Sequence, residues 1–159
     1  VRDRADFVGV QYYSRATVQQ LLAGDPLAVP RSMRRLPRTD MGWEIYPRGL
    51  HSAAEALFSR YGLPLFITEN GIADRNDTMR STFIYDHLRE VRSLLDAGVP
   101  VERYYHWTLL GNFEWAEGYT AAFGLYACDP QTQQRTLRPS GRFYAEICAN
   151  RVVHWRNHY

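Results

Sequence analysis

Twice in this chain a helical stripe of apolar residues stops at a glycine, passes one apolar residue and a proline, and turns into an apolar run: Gly62-Leu63-Pro64-Leu65 and Gly98-Val99-Pro100-Val101. Glycine accepts the left-handed backbone that ends helices. Proline is tolerated at the first residue of a strand, where its missing N–H costs no ladder bond. A helix that feeds straight into a buried strand, twice over, is the repeat of a parallel α/β sheet.

The flanking segments extend that repeat. Val8 to Tyr13 is an apolar and aromatic run bounded by Asp6 and Ser14-Arg15, which reads as a first buried strand. Ser52-Ala53-Ala54-Glu55 has the form of a capping box, and Ala54, Leu57, Phe58 and Tyr61 follow at helical spacing up to Gly62. Leu63 to Ile67 is continuously apolar, which predicts a strand buried on both faces and ending in Thr68-Glu69-Asn70-Gly71. Phe83, Ile84, Leu88, Val91, Leu94 and Leu95 mark a second helix, and Tyr104 to Leu110 continue the third strand. The stretches from Asp25 to Pro47, with the basic pair Arg34-Arg35, and from Gly111 to Pro139 read as loops. Ser140-Gly141 then opens a last helix through Phe143, Tyr144 and Ile147.

That makes three βα units in 159 residues, whereas a closed (β/α)8 barrel takes about 250. The pattern is therefore a small open sheet or part of a barrel. The chain opens on a strand without a leading Met, so a piece of a longer polypeptide is expected.

Composition narrows the function classes. With 45% hydrophobic and 23% charged residues the chain is globular rather than disordered. It has no run of about 18 apolar residues, and Val1-Arg2-Asp3-Arg4 is too charged for a secretory leader, so neither a membrane partner nor export is expected and the cytoplasm is the expected compartment. A net charge of +2 offers no field for nucleic acid. All 19 basic residues are Arg, which fits the codon usage of a GC-rich source. Cys128 and Cys148 are far apart with no CxxC or His-rich setting, so both are expected to be reduced, and no metal or cofactor is implied.

In parallel α/β folds functional residues gather at the carboxyl ends of strands. Here those ends carry Gln11 and Tyr13, then Glu69-Asn70, then His106, Trp107, Asn112, Glu114 and Trp115. Glu69 follows an apolar strand directly, which suits an anchored carboxylate; Asn70-Gly71 fits a surface turn equally well. Glu114 sits between Phe113 and Trp115, and two carboxylates with indole platforms are what sugar hydrolysis uses. On those grounds alone Glu114 would be the acid partner of Glu69. His106, alone on an apolar strand, reads as a core residue.

Asp-Phe-Val-Gly-Val-Gln-Tyr-Tyr (6–13), Gly-Trp-Glu-Ile-Tyr-Pro (42–47), Ile-Thr-Glu-Asn-Gly (67–71), Trp-Thr-Leu-Leu-Gly-Asn-Phe-Glu-Trp-Ala-Glu-Gly-Tyr (107–119) and Phe-Gly-Leu (123–125) together resemble the C-terminal part of family 1 glycoside hydrolases, the β-glucosidase type. The motifs keep the family order and span nearly the whole chain. The resemblance implies strands six to eight, with their helices, of a (β/α)8 TIM barrel over residues 1–159, with strands one to five supplied elsewhere. It implies that Glu69 is the nucleophile and that Tyr13 hydrogen-bonds and orients it. It assigns Glu114 and Trp115 to the hydroxyls of the sugar in the −1 subsite, Trp107 to the stacking floor, Phe123 to the pocket lining and Trp43 to the leaving-group side. The family's acid/base lies in an Asn-Glu-Pro motif that this sequence lacks, so the resemblance removes Glu114 from that role.

Three positions depart from the family pattern: Gln11 stands where Asn is usual, Gly111 where Asp precedes the NFEW segment, and Ala122 where Arg precedes Phe-Gly-Leu. The implied function is a retaining β-glycosidase, with a β-glucoside or related oligosaccharide as substrate and the N-terminal part of the same barrel as partner. The rival is a carbohydrate-binding remnant or pseudoenzyme without catalysis. In the barrel, Val8, Leu65 and Tyr104 are expected to face inward, toward the missing wall.

Overall fold

The computed structural model describes residues 4–15 and 36–153. Arg34-Arg35 and the first half of the loop expected from Asp25 lie outside the described residues. The elements follow in the order β1 (Val8–Gln11), α1 (Pro47–Tyr61), β2 (Leu65–Gly71), α2 (Arg80–Asp96), β3 (Val101–Trp107), a 3-10 turn (Trp115–Glu117), β4 (Tyr126–Cys128), β5 (Arg135–Leu137) and α3 (Pro139–Asn150). Strands β1, β2 and β3 form one parallel sheet in that order, with α1 and α2 as the crossovers. β4 and β5 form a separate antiparallel pair inside the stretch expected to be loop, so that expectation is corrected.

Helix α1 starts six residues earlier than its capping-box reading. Pro47 occupies the first helical position, where its fixed φ and missing N–H cost nothing, and Ser52 lies inside the helix. The early start buries Leu50 completely, together with Ala54. At its other end Gly62 adopts φ 64° and returns its N–H to Phe58 O, the stop expected from sequence. Leu95 of α2 is 45% exposed rather than part of the apolar stripe, and His87 takes the buried place.

The principal core lies between the helices and one face of the sheet. Val10, Leu65, Ile67 and Val101 meet Leu50 and Ala54 of α1 and Val91 and Leu94 of α2, with Val8 and Tyr104 packed alongside. Two expectations fail here. Val8, Leu65 and Tyr104 face the helices rather than a barrel interior, and β2 is not buried on both faces, since its burial alternates from Leu65 to Ile67. The opposite face carries Phe66, stacked on Phe7 at 4.0 Å with the Arg103 guanidinium 5.3 Å from its ring centre. Sequence hydrophobicity could not separate the two faces, because both carry apolar residues.

α3 closes a second cluster, where Phe143 packs on Ile84 of α2 and on Leu125. No helix among the described residues is long and apolar enough to cross a membrane. Cys128 and Cys148 are both free thiols.

Candidate active site

A register shift in β2 decides where Glu69 points. Val8, Gly9 and Val10 pair in step with Leu65, Phe66 and Ile67, so Gln11 would next meet Thr68; it pairs instead with Glu69. Ladder positions alternate between faces, so the extra residue turns Glu69 away from the face of Ile67 and onto the face of Gln11. β2 also slips against β3 between Ile67 and Asn70. Asn70-Gly71 accordingly belongs to the strand and forms no surface turn. Gly71 is required there, because a Cβ would come within 1.9 Å of Trp107 O.

The Glu69 carboxylate is held at both oxygens. Gln11 Nε2 donates to Oε1 at 2.8 Å and the Tyr13 hydroxyl donates to Oε2 at 2.6 Å. Burial, and then the hydrogen bond to Glu69, push the Tyr13 hydroxyl well above its ordinary pKa, so it remains a donor across working pH. Gln11, a longer amide than the usual Asn with the same donors and acceptor, thus gives its amide N–H to Glu69.

Next in sequence, Asn70 is fully buried and locks the strand from below. Its Nδ2 donates to Tyr12 O at 2.7 Å, and the Tyr104 hydroxyl donates to its Oδ1 at 2.7 Å. One side chain next to Glu69 in the chain thereby joins β2 to the residue that follows β1 and to β3.

The second carboxylate, Glu114, lies beyond β3 at the N-terminal edge of the 3-10 turn. The Trp107 indole N–H donates to its Oε1 at 2.9 Å, so the two side chains form one unit. Trp115 is 84% exposed and Phe113 61%, which leaves a wide aromatic surface around Glu114. Tyr13, Trp43 and Phe123 form a second aromatic group, with ring centres 5.8 Å (Tyr13–Trp43), 6.0 Å (Tyr13–Phe123) and 6.2 Å (Trp43–Phe123) apart. Phe123 is the buried member and Trp43 the open one. Of the eight residues singled out from sequence, Gln11, Tyr13, Glu69, Trp43 and Phe123 are linked by these contacts, Trp107 packs with Tyr13 and Phe123 and holds Glu114, and Trp115 stands exposed next to Glu114 in the chain. Two oxygens of one carboxylate gripped by neutral donors, with stacking surfaces to either side, suit attack on a sugar ring.

Sequence reasoning missed the turn that ties these parts together. Residues 72–79, leaving β2, bind the Trp43 loop through Asp40 N→Ala73 O (3.0 Å) and Arg75 N→Asp40 Oδ2 (2.7 Å). The same turn and the first residue of α2 bind the loop after Glu114 through Arg75 Nη2→Thr120 O and Arg80 Nη2→Ala122 O, both 2.6 Å. Arg80 is fully buried, paired with Asp77, and Asp77 in turn accepts from the Ser140 N–H and hydroxyl at the start of α3. Asp74 Oδ2 accepts from Met79 N and Arg80 N and so caps α2 from a distance. Asp74, Asp77 and Arg80 in one short segment were the available signal, a polar cluster just after a strand end.

His106 packs toward Tyr144, with both ring nitrogens buried and without a hydrogen-bond partner, and burial lowers its pKa to about 3. It is neutral and structural. No group of three or more His, Cys, Asp or Glu among the described residues could hold a metal ion.

The family model for glycosyl hydrolase family 1 matches residues 1–153. The chain belongs to that family. It is similar to a β-galactosidase of Sulfolobus acidocaldarius, with 39% identity over 92% of this chain and 32% of the relative. It is also 36% identical to a β-glucosidase of Agrobacterium over 94% of this chain and 35% of the relative. Among solved structures, Fpglu1 of Fervidobacterium pennivoraus superposes with a TM-score of 0.87 at 35% identity, covering 99% of this chain and 38% of that one. The Thermotoga maritima β-glucosidase in complex with castanospermine gives 0.84 at 33% identity over 96% and 36%. The chain thus spans about a third of the length of these family 1 relatives and matches part of their TIM-barrel fold.

Proposed function

We propose that this chain supplies the nucleophile half of a retaining β-glycosidase that acts on β-glucosides or related oligosaccharides. The observation that carries the reading is the two-point grip of Gln11 and Tyr13 on Glu69, on the sheet face that the β2 shift presents. A carboxylate fixed in this way can attack an anomeric carbon from one direction only. The Glu69 oxygen forms a bond to that carbon while the bond to the leaving oxygen breaks, and the leaving oxygen takes a proton from a second acid. Water, deprotonated by the same second group, then displaces Glu69 and releases the sugar with its β configuration retained.

In this reading β1, β2 and β3 are strands six, seven and eight of the barrel. The second acid comes from an Asn-Glu-Pro segment on the complementary strands, about 5 Å from Glu69. Glu114 with Trp115 binds the sugar hydroxyls, Trp107 stacks beneath the ring, Phe123 backs the pocket and Trp43 meets the leaving group. The named relatives, β-glucosidases and β-galactosidases, support the substrate class.

A 2-fluoro-β-glucoside with a good leaving group, incubated with the complete protein that carries these residues, is expected to inactivate it and to label Glu69 in a peptide digest. A label on any other carboxylate overturns the assignment. Sugar binding with no trapped intermediate and no turnover would favour the non-catalytic remnant.

A further inference from the structure

A cavity opens beside the loop that carries Glu114, and none of the eight site residues lines it. Its volume is about 310 Å³, and its walls include Gly111, Asn112, Ala122, Cys128, Arg75 and Arg138. Two arginines thus line a space that no carboxylate lines among the described residues. Arg75 gives one nitrogen to Thr120 O and Arg138 gives Nη1 to Arg75 O. Among the described residues Arg138 Nε is buried with no hydrogen-bond partner, and so is Asn112 Oδ1. Because the two ends of an amide are interchangeable in assignment, Asn112 can present its NH2 to the same space. The carboxylates adjacent to these walls in the chain or bonded to them are already engaged: Asp77 pairs with Arg80 and accepts from Ser140, Asp74 caps α2, Asp40 accepts from Arg75 N, and Asp129 accepts from Gln131 N and Thr132 N.

Buried donors without acceptors are uncommon, and a guanidinium fork matches the oxygens of a small anion better than it matches water. The small residues at 111 and 122 leave the room such an ion needs. We infer that the cavity between Arg75 and Arg138 is a binding site for a small oxyanion of the phosphate type, separate from the sugar site. Arg138 Nε and the Arg75 guanidinium would contact its oxygens, with Asn112 turned to donate. The site stands or falls independently of the role assigned to Glu69.

The test uses the complete protein and inorganic phosphate, titrated at constant ionic strength against chloride and followed by calorimetry and by Tm. One saturable site is expected, with Tm rising as it fills. Gly111→Asp places a carboxylate in the cavity, and a Cβ at position 111 meets nothing closer than 3.4 Å, so the fold has room for it. This variant is expected to bind phosphate at least tenfold more weakly while keeping or raising the Tm measured without phosphate. Arg138→Gln is expected to weaken binding as well. Phosphate that inhibits competitively with substrate sits in the sugar site and overturns the inference. A non-saturating effect, or one that Gly111→Asp leaves unchanged, marks an adventitious ion only and overturns it too.

Discussion

Tyr13 donates the shorter of the two hydrogen bonds to Glu69 and also packs its ring edge-on against Trp43 and Phe123, so one residue carries a polar and an apolar task. Tyr13→Phe separates them. The ring contacts survive, while Glu69 Oε2 loses its donor. A hydrogen bond to a charged group contributes about 1.5–3 kcal/mol, and each 1.4 kcal/mol or so is tenfold in rate. The expected outcome in the complete protein is a fall of about 10- to 100-fold in kcat/KM for an aryl β-glucoside, since these figures apply when the bond persists to the transition state. Stability should change by less than about 1 kcal/mol, because the ring stays packed. A loss of stability in urea that matches the loss of activity would mean that Tyr13 acts through packing instead.

At the level of the strand, the role proposed for Glu69 depends on the register shift in β2 that turns it onto the face of Gln11, and Asn70 braces that shift through Tyr12 O and Tyr104. Asn70→Ala leaves a buried carbonyl and a buried hydroxyl without partners, each costing about 1–3 kcal/mol. A stability loss of about 2–4 kcal/mol is expected from urea unfolding of the complete protein, with kcat falling more than KM rises as Glu69 loses its bearing. The strands themselves were legible in the sequence: Gly62 and Gly98 stop the helices, Pro64 and Pro100 open the strands, and apolar runs follow. Glu69, Trp107 and Glu114 were legible as residues at strand ends. The shift was not, because a one-residue slip leaves the alternation of apolar residues readable in either register. Nor was the start of α1, where the burial of Leu50 and the proline at position 47 outweighed a plausible cap at Ser52. The Arg75 and Arg80 contacts join residues 42 to 45 positions apart through backbone carbonyls, which have no signature in residue type.

On the scale of the molecule the sheet has one covered face and one open one. Helices α1 and α2 seal the face of Val10, Leu65 and Ile67, while Phe7 is 44% and Tyr105 49% exposed on residues flanking and within the strands. β1 and β3 are the outer strands of the described sheet, so each offers a row of backbone groups for another strand. Such edges recruit other chains unless they are paired or covered. If strands one to five of a barrel complete this sheet, they bond to both edges and supply the side chains that pack on Phe66 and Phe7. Residues 1–159 expressed alone should then be aggregated or lack a cooperative transition by circular dichroism, and should not hydrolyse an aryl β-glucoside. Adding the complementary strands, in one polypeptide or as a second chain, should restore a cooperative melt and turnover together, because the same contacts close the barrel and bring the second acid opposite Glu69. Cooperative folding and turnover by residues 1–159 alone would show that the open face needs no further wall and that the proton donor lies within this chain.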